Sequence, residues 1–194
     1  MADRSAKTQE SGVGDAALER LFWAHHRAVL AYCARRVGRS DAWDAASEVF
    51  IVAWKRLDEV PAGDDARPWL LAVAHRVLAN QRRGSARRLR LFERAAKEDR
   101  GRVQWPEEQL IRNEDAREVI EGLARLRPPD REILQLVTWE ELSPVEIAGV
   151  LGISREAVDQ RYSRAKRRLA RELERRPLLH RRATEPTSEK GGAT

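Results

Sequence analysis

The sequence predicts an all-α protein: two small helical bundles joined by a flexible linker, the second ending in a helix-turn-helix. Three observations carry this. Apolar residues recur at spacings of three and four over long stretches, and no stretch alternates as a half-buried strand does. That periodicity lapses between Leu89 and Glu108, where Gly101 and Pro106 appear. Finally, SPVEIAGVLGISREAVDQRYSRAKRRL, Ser143 to Leu169, reads as two short helices with a tight break between them, the second growing steadily more basic.

Residues 1–14 are small and polar and are expected to be disordered. From Asp15 the pattern turns helical, with Leu18, Leu21, Phe22, His25, Val29, Tyr32, Cys33 and Val37 in step. Gly38 fits a C-cap glycine ending that helix. A second helix is expected from Asp41, in DAWDAASEVFIVAWKRL, with Ala46, Phe50, Trp54 and Leu57 on one stripe. Asp41, Asp44 and Glu48 lie toward its start, where the helix dipole favours negative charge. Pro61, Gly63 and Pro68 punctuate a loop. A third helix, Arg67 to Arg83, carries Leu70, Leu71, Val73, Ala74, Val77 and Leu78 and merges into a basic run that Gly84 and Ser85 interrupt.

These features set the expected boundaries: a first helical domain over 15–94, a linker over 95–111, a second domain over 112–175 and a disordered tail over 176–194. The second domain opens with an acidic helix whose face is Val119, Ile120, Leu123 and Leu126. Pro128 and Pro129 stop it, since proline disfavours helical geometry in the residue before it. A new helix follows at once, with Asp130 and Glu132 in its first turn and Ile133, Leu134 and Val137 inward.

The totals narrow the function. Of the 194 residues, Lys+Arg contribute 37 and Asp+Glu 31, a net charge of +6. The excess suits nucleic acid, an anionic surface or an acidic partner, and its placement matters more than its size. A single cysteine, Cys33, leaves no internal disulfide and no Cys-x-x-Cys pair. The start, MADRSAKTQESG, has no apolar run, so no signal peptide is expected, nor any membrane insertion; the expected location is cytoplasmic. His25, His26, His75 and His180 show no metal-ligand spacing. With no phosphate loop, nucleophile–base pair or metal cage, neither an enzyme nor a cofactor or small-molecule substrate is expected.

Ser143 fits an N-cap, with Pro144 at the first helical position and Glu146 completing a capping box. Ile147, Ala148 and Leu151 form the inner face, Gly152 suits the left-handed turn, Ile153 returns to the core and Ser154 caps the next helix. There Val158, Tyr162, Ala165 and Leu169 fall on one stripe. With Val158 inward, Glu156, Gln160, Ser163, Arg164, Arg167 and Arg171 point out at about 100° per residue. The exposed face thus begins with hydrogen-bonding groups and ends with guanidiniums. A recognition helix in a major groove needs that order, base edges first and phosphates after. A solvated basic helix is the plainer reading, but small Ala148, turning Gly152 and the apolar set Ile147, Leu151, Ile153 and Val158 coincide where a helix-turn-helix needs them.

The combination resembles a bacterial RNA polymerase sigma factor of the extracytoplasmic-function (ECF) type. Leu123 to Leu169 is similar to that family's fourth conserved region, and Asp41–Leu57 with Arg67–Arg88 to its second. The resemblance covers about Leu18–Arg94 and Arg112–Leu173. It implies a non-enzymatic subunit that binds core RNA polymerase and directs promoter-specific initiation. The first domain would engage and help melt the minus-ten element, and the helix-turn-helix would read the minus-thirty-five element. Asp41, Asp44, Glu48, Phe50 and Trp54 match the polymerase-docking segment, with Phe50 and Trp54 expected mainly in the core. His75, Arg76, Asn80, Arg82, Arg83, Arg87 and Arg88 match the minus-ten segment, where Trp69 is expected in the core. Arg155, Glu156, Asp159, Gln160, Ser163, Arg164, Arg167 and Arg171 match the recognition helix. An anti-sigma factor is implied as a further partner, beside core polymerase and promoter DNA.

The sequence departs from the family at several places. His75-Arg76 stands where an Arg-Asn-like pair is common, Asn80 where aspartate is common, and Asp159 where lysine is frequent. An acid facing DNA costs affinity unless it accepts from a cytosine amino group or pairs with a neighbour such as Arg155. Two other readings stay open from residues alone: a conventional regulator with an N-terminal dimerisation or sensing bundle, and a helical adaptor for acidic proteins.

Overall fold

The computed structural model describes residues 2–92 and 114–175, with side chains over 14–84 and 117–175. Seven α-helices occur there and no strand: α1 Ala2–Ala34, α2 Arg39–Lys55, α3 Ala66–Phe92, α4 Glu114–Arg125, α5 Pro128–Thr138, α6 Pro144–Leu151 and α7 Arg155–Glu174. Two 3₁₀ turns, Leu57–Glu59 and Gly63–Asp65, join α2 to α3. The all-α expectation holds. The expected linker, 95–111, and tail, 176–194, lie outside the described residues. By contact the chain divides into two units, one of Met1–Leu110 with Leu142–Arg155, the other of Ile111–Glu141 with Glu156–Thr194. The stretch Leu142–Arg155, expected within the second domain, joins the first unit through α6 against α3.

In the first unit α1, α2 and α3 pack around Val29, Tyr32 and Cys33, Ala45 and Val49, and Leu70, Leu71 and Leu78, all essentially inaccessible. Each fully buried large apolar side chain contributes about 1.5–3 kcal/mol. The inner face of α2 is mostly alanine, at Ala42, Ala45, Ala46 and Ala53. Small side chains let α2 lie close to its neighbours. Arg36, just past the end of α1, is buried against that same helix: its guanidinium lies 3.5 Å from the Tyr32 ring centroid, and its Nη1 donates to the Tyr32 carbonyl at 3.0 Å.

Several boundaries differ from expectation. α1 begins at Ala2 rather than Asp15, because Ala, Lys, Gln and Glu in its first turns are good helix formers that extend a packed helix. Gly38 is not a left-handed cap. Its φ of −59° and ψ of 159° make it the N-cap of α2, and α1 closes instead through Arg36 and Val37 N–H groups on the Cys33 carbonyl. α3 runs through Gly84 and Ser85 to Phe92. A mid-helix glycine costs only about 1 kcal/mol, and the arginines and leucines beyond it favour helix.

In the second unit Ile120, Leu123 and Leu126 meet a core of Ile133, Leu134, Leu136, Val158 and Ala165. Val119, expected on that face, is 39% exposed. A Cβ on Gly122 would lie 3.1 Å from methyls of both Leu169 and Leu173, so α4 and α7 approach closely there. Arg131 of α5 donates to three carbonyls at the end of α4, those of Leu123 at 2.9 Å, Leu126 at 3.1 Å and Ala124. One guanidinium thus adds a donor to the carbonyls at the helix end, of which that of Leu123 also accepts from the Leu126 N–H. Arg127, before Pro128, is extended at ψ 144°, as a residue preceding proline should be.

The expected cap at α6 is present in both halves. Ser143 Oγ accepts from the Glu146 N–H at 3.3 Å and Glu146 Oε2 from the Ser143 N–H at 2.7 Å. Gly152 is left-handed at φ 64°, and the Ile153 N–H donates to the Ala148 carbonyl at 3.1 Å. The buried residues of α6 are Ile147 and Val150; Leu151 is half-buried. The inner face expected from sequence was Ile147, Ala148 and Leu151, and a helix this apolar gives little to tell Val150 from Leu151.

A Cβ on Gly152 would meet nothing within 4 Å, so only backbone strain opposes substitution there. Gly152→Val is expected to cost about 1–2 kcal/mol, and Gly152→Asn clearly less, by urea denaturation followed by circular dichroism.

Candidate nucleic-acid interface

α7 sorts its side chains as the sequence predicted. Val158 and Ala165 are buried, Tyr162 and Leu169 half-buried. Arg155, Glu156, Asp159, Gln160, Ser163, Arg164, Arg167 and Arg171 are all exposed. Gln160 Oε1 accepts from Arg164 Nη2 at 3.4 Å, one helical turn on. Arg168 behaves differently from its neighbours. It turns back to α5 and pairs with Asp130, whose side chain is only 7% exposed. After Arg155 at its start, α7 therefore presents mainly acidic and neutral polar groups over its first two turns and mainly guanidiniums beyond them, while one arginine anchors the helix.

On α3 the predicted residues separate into two groups. Arg76, Asn80 and Arg83 are exposed and, at steps of four and three, share a face with Trp69, one heptad before Arg76. Arg83 Nη2 donates to Asn80 Oδ1. Arg87 falls on the same row in register; the side chains of Arg87 and Arg88 lie outside those described. Trp69 is half-buried rather than core, with the Arg56 guanidinium 5.8 Å from its ring centroid. His75 and Arg82 instead tie α3 to α1. The Tyr32 hydroxyl and His75 Nδ1 are 3.4 Å apart, and Arg82 Nη2 donates to the Arg36 carbonyl at 3.4 Å.

The outer side of α2 carries exposed Asp41, Asp44 and Glu48. Glu48 Oε2 accepts from Gln81 Nε2 on α3 at 3.2 Å. Phe50 is core, 8% exposed, with its ring centroid 5.0 Å from that of Phe22. Trp54 is 56% exposed, which corrects the core reading. With Trp43, 60% exposed, and Ile51, 49% exposed, it forms an apolar row beside the acids. Trp23 of α1, 66% exposed, adds to the apolar surface of this bundle. Sequence reasoning missed Trp43 and Ile51 because apolar periodicity reports an apolar stripe without saying what covers it.

A groove of about 560 Å³ opens between α1 and the turns joining α2 to α3, lined by Arg20, Ala24, His25, Leu57, Val60 and Asp64 among others. Burial holds the His25 pKa below its ordinary value, Arg67 adds to that, and Asp64 opposes it. The imidazole is therefore neutral near pH 7 and the groove wall carries no charge from it. Among the described residues no group of His, Cys, Asp and Glu could hold a metal ion, and no helix is long and apolar enough to cross a membrane.

Comparison with known proteins bears on this arrangement directly. A family model described as sigma-70 region 2 matches residues 21–88, and one described as sigma-70, region 4 matches residues 116–169. RNA polymerase sigma factor NccH of Alcaligenes xylosoxydans xylosoxydans is 32% identical over 174 residues, covering 87% of this chain and 90% of the relative. ECF RNA polymerase sigma factor SigL of Mycobacterium tuberculosis is 28% identical over 169 residues, covering 84% and 93%. The chain belongs to the ECF RNA polymerase sigma factors. As such it directs promoter-specific initiation of transcription. Among solved structures, the sigma factor RpoE in complex with the anti-sigma factor NepR from Bartonella quintana shares the fold at a TM-score of 0.63, with 19% identity over 80% of this chain and 96% of that one. CnrH in complex with the cytosolic domain of CnrY matches at a TM-score of 0.55 and 26% identity, over 90% of this chain and 98% of that one.

Arg167 and Arg168 are sequence neighbours with different partners, which permits a sharp comparison. Arg168→Ala leaves the Asp130 carboxylate unpaired in a nearly closed site and is expected to cost about 1–3 kcal/mol, reduced from the fully buried case because Arg168 is partly in water. Asp130→Ala frees an arginine that can reach solvent, so it should cost less. Arg167→Ala should leave urea unfolding unchanged within about 0.5 kcal/mol.

Proposed function

We propose that this sigma factor divides its work between the two family regions, with 15–94 and 112–175 as its functional domains. The first docks on core RNA polymerase and engages the minus-ten element; the second reads the minus-thirty-five element in duplex DNA. What supports this most directly is the ordered exposed face of α7, hydrogen-bonding groups first and Arg164, Arg167 and Arg171 after them.

The acidic and apolar side of α2 is the polymerase-docking surface in this reading. Asp41, Asp44 and Glu48 supply charge for steering, and Trp43, Ile51 and Trp54 supply the area that hot spots draw on. The Arg76–Asn80–Arg83 face of α3 holds the opened minus-ten strand, with arginines on phosphates and Asn80 able to pair with a base edge. The groove beside His25 offers a recess for an unstacked base, with the charges of Arg20 and Asp64 on its wall. The protein acts in the cytoplasm and carries out no covalent chemistry; nucleotide addition belongs to the polymerase. An anti-sigma partner follows the pattern of CnrH, which was solved with the cytosolic domain of CnrY.

Run-off transcription with purified core polymerase on fragments of the source genome tests this reading. Discrete protein-dependent starts that share upstream and downstream elements are expected. No such starts, in a reaction where another sigma factor works, would sink it in favour of a conventional regulator. Trp43→Ala and Trp54→Ala should each weaken core-polymerase binding about tenfold or more in a direct affinity assay without unfolding the protein.

Arg167→Ala should weaken holoenzyme binding on all promoters about equally and lower the salt slope by about 1. Measured affinities across a salt series check this.

A further inference from the structure

We infer that Asp159 is a specificity-determining residue through which α7 selects a cytosine in the upstream promoter element. The inference rests on the major-groove reading of α7 proposed above. Asp159 lies in the second turn of α7, exposed, one turn after Arg155 and one turn before Ser163. Among the described residues no hydrogen bond or ion pair engages its carboxylate, not even with Arg155. Gln160 beside it already has Oε1 committed to Arg164.

A carboxylate can only accept hydrogen bonds. In the major groove guanine offers acceptors at O6 and N7 and thymine an acceptor at O4, so both repel it. The amino groups of cytosine and adenine donate, but adenine sets the N7 acceptor next to its amino group, where it faces the second carboxylate oxygen. Cytosine presents N4 alone and fits best. The same charge is repelled by every phosphate it approaches, so Asp159 adds nothing to sequence-independent affinity. That attraction falls to Arg164, Arg167 and Arg171. The carboxylate therefore costs binding on all sequences and returns it on one, which is how a discriminating group behaves.

The test is transcription by holoenzyme from a promoter library randomised through the upstream element, with transcripts sequenced. It compares the wild-type chain, Asp159→Ala, Asp159→Asn and, as a sequence-blind control, Arg167→Ala. The wild type should favour cytosine on one strand at one upstream position by about tenfold. Asp159→Ala should reduce that preference to about twofold or less, leave other positions unchanged and not lower output from poor promoters. Asp159→Asn should move the preference toward adenine, which an amide can contact at N6 and N7. A wild-type profile without a cytosine-dependent position would overturn the inference. So would an Asp159→Ala profile that superimposes on the wild type, the result expected if Arg155 neutralises the acid or it faces only water. A loss spread evenly over all positions, as for Arg167→Ala, would overturn it too. Failure of the wild type to start at any promoter would instead remove the promoter reading on which the inference stands.

Discussion

The rotation of α7 about its own axis decides which side chains face outward, and the pair between Asp130 and Arg168 pins that rotation. Val158 and Ala165 alone would leave it loosely set, since small apolar side chains tolerate some slippage. A guanidinium held on a nearly buried carboxylate does not. Asp130 itself sits in the first turn of α5, where the helix dipole favours its charge. Arg131, the next residue, caps α4 from the same turn. Two consecutive residues of α5 thus fix both α4 and α7, and Gly122 lets the latter two approach closely enough to share one core.

In the first bundle a related economy separates function from framework. His75 and Arg82 fall within the segment that resembles the minus-ten contact region, yet they reach toward Tyr32 and the Arg36 carbonyl just past α1. They orient α3. The residues left open are Arg76, Asn80 and Arg83, with Trp69 at their edge, and Arg82 remains exposed while it reaches the Arg36 carbonyl. Residues can therefore belong to a recognition segment while acting on the helix that carries it, and substitution of His75 would disturb packing before it disturbed base contact.

How much was legible in the sequence follows from what kind of signal each feature leaves. The cap at Ser143–Glu146, the turn at Gly152 and the sorted faces of α7 were legible because each depends on local chemistry within a few residues. The Asp130–Arg168 pair was not, since nothing local tells a structural arginine from a phosphate-binding one in Arg164–Arg171. Gly38 and Gly84 misled for the opposite reason: glycine permits a helix end without requiring one, and neighbouring residues decided both cases. Trp54 looked like core because periodicity cannot distinguish surface buried in the fold from surface reserved for a partner. Leu151 and Val150 were exchanged because α6 is apolar around most of its circumference.

The alanine face of α2 has a consequence of its own. Ala42, Ala45, Ala46 and Ala53 bring the helices close but fill the interior with little apolar volume, while the heavier side chains of Trp43, Ile51 and Trp54 stand outside. The bundle leaves part of its hydrophobic mass on the surface. A partner that covers those side chains also stabilises the folded chain by mass action. On that footing the folded chain is at its most marginal when those side chains are bare, and any partner that covers them adds to its stability.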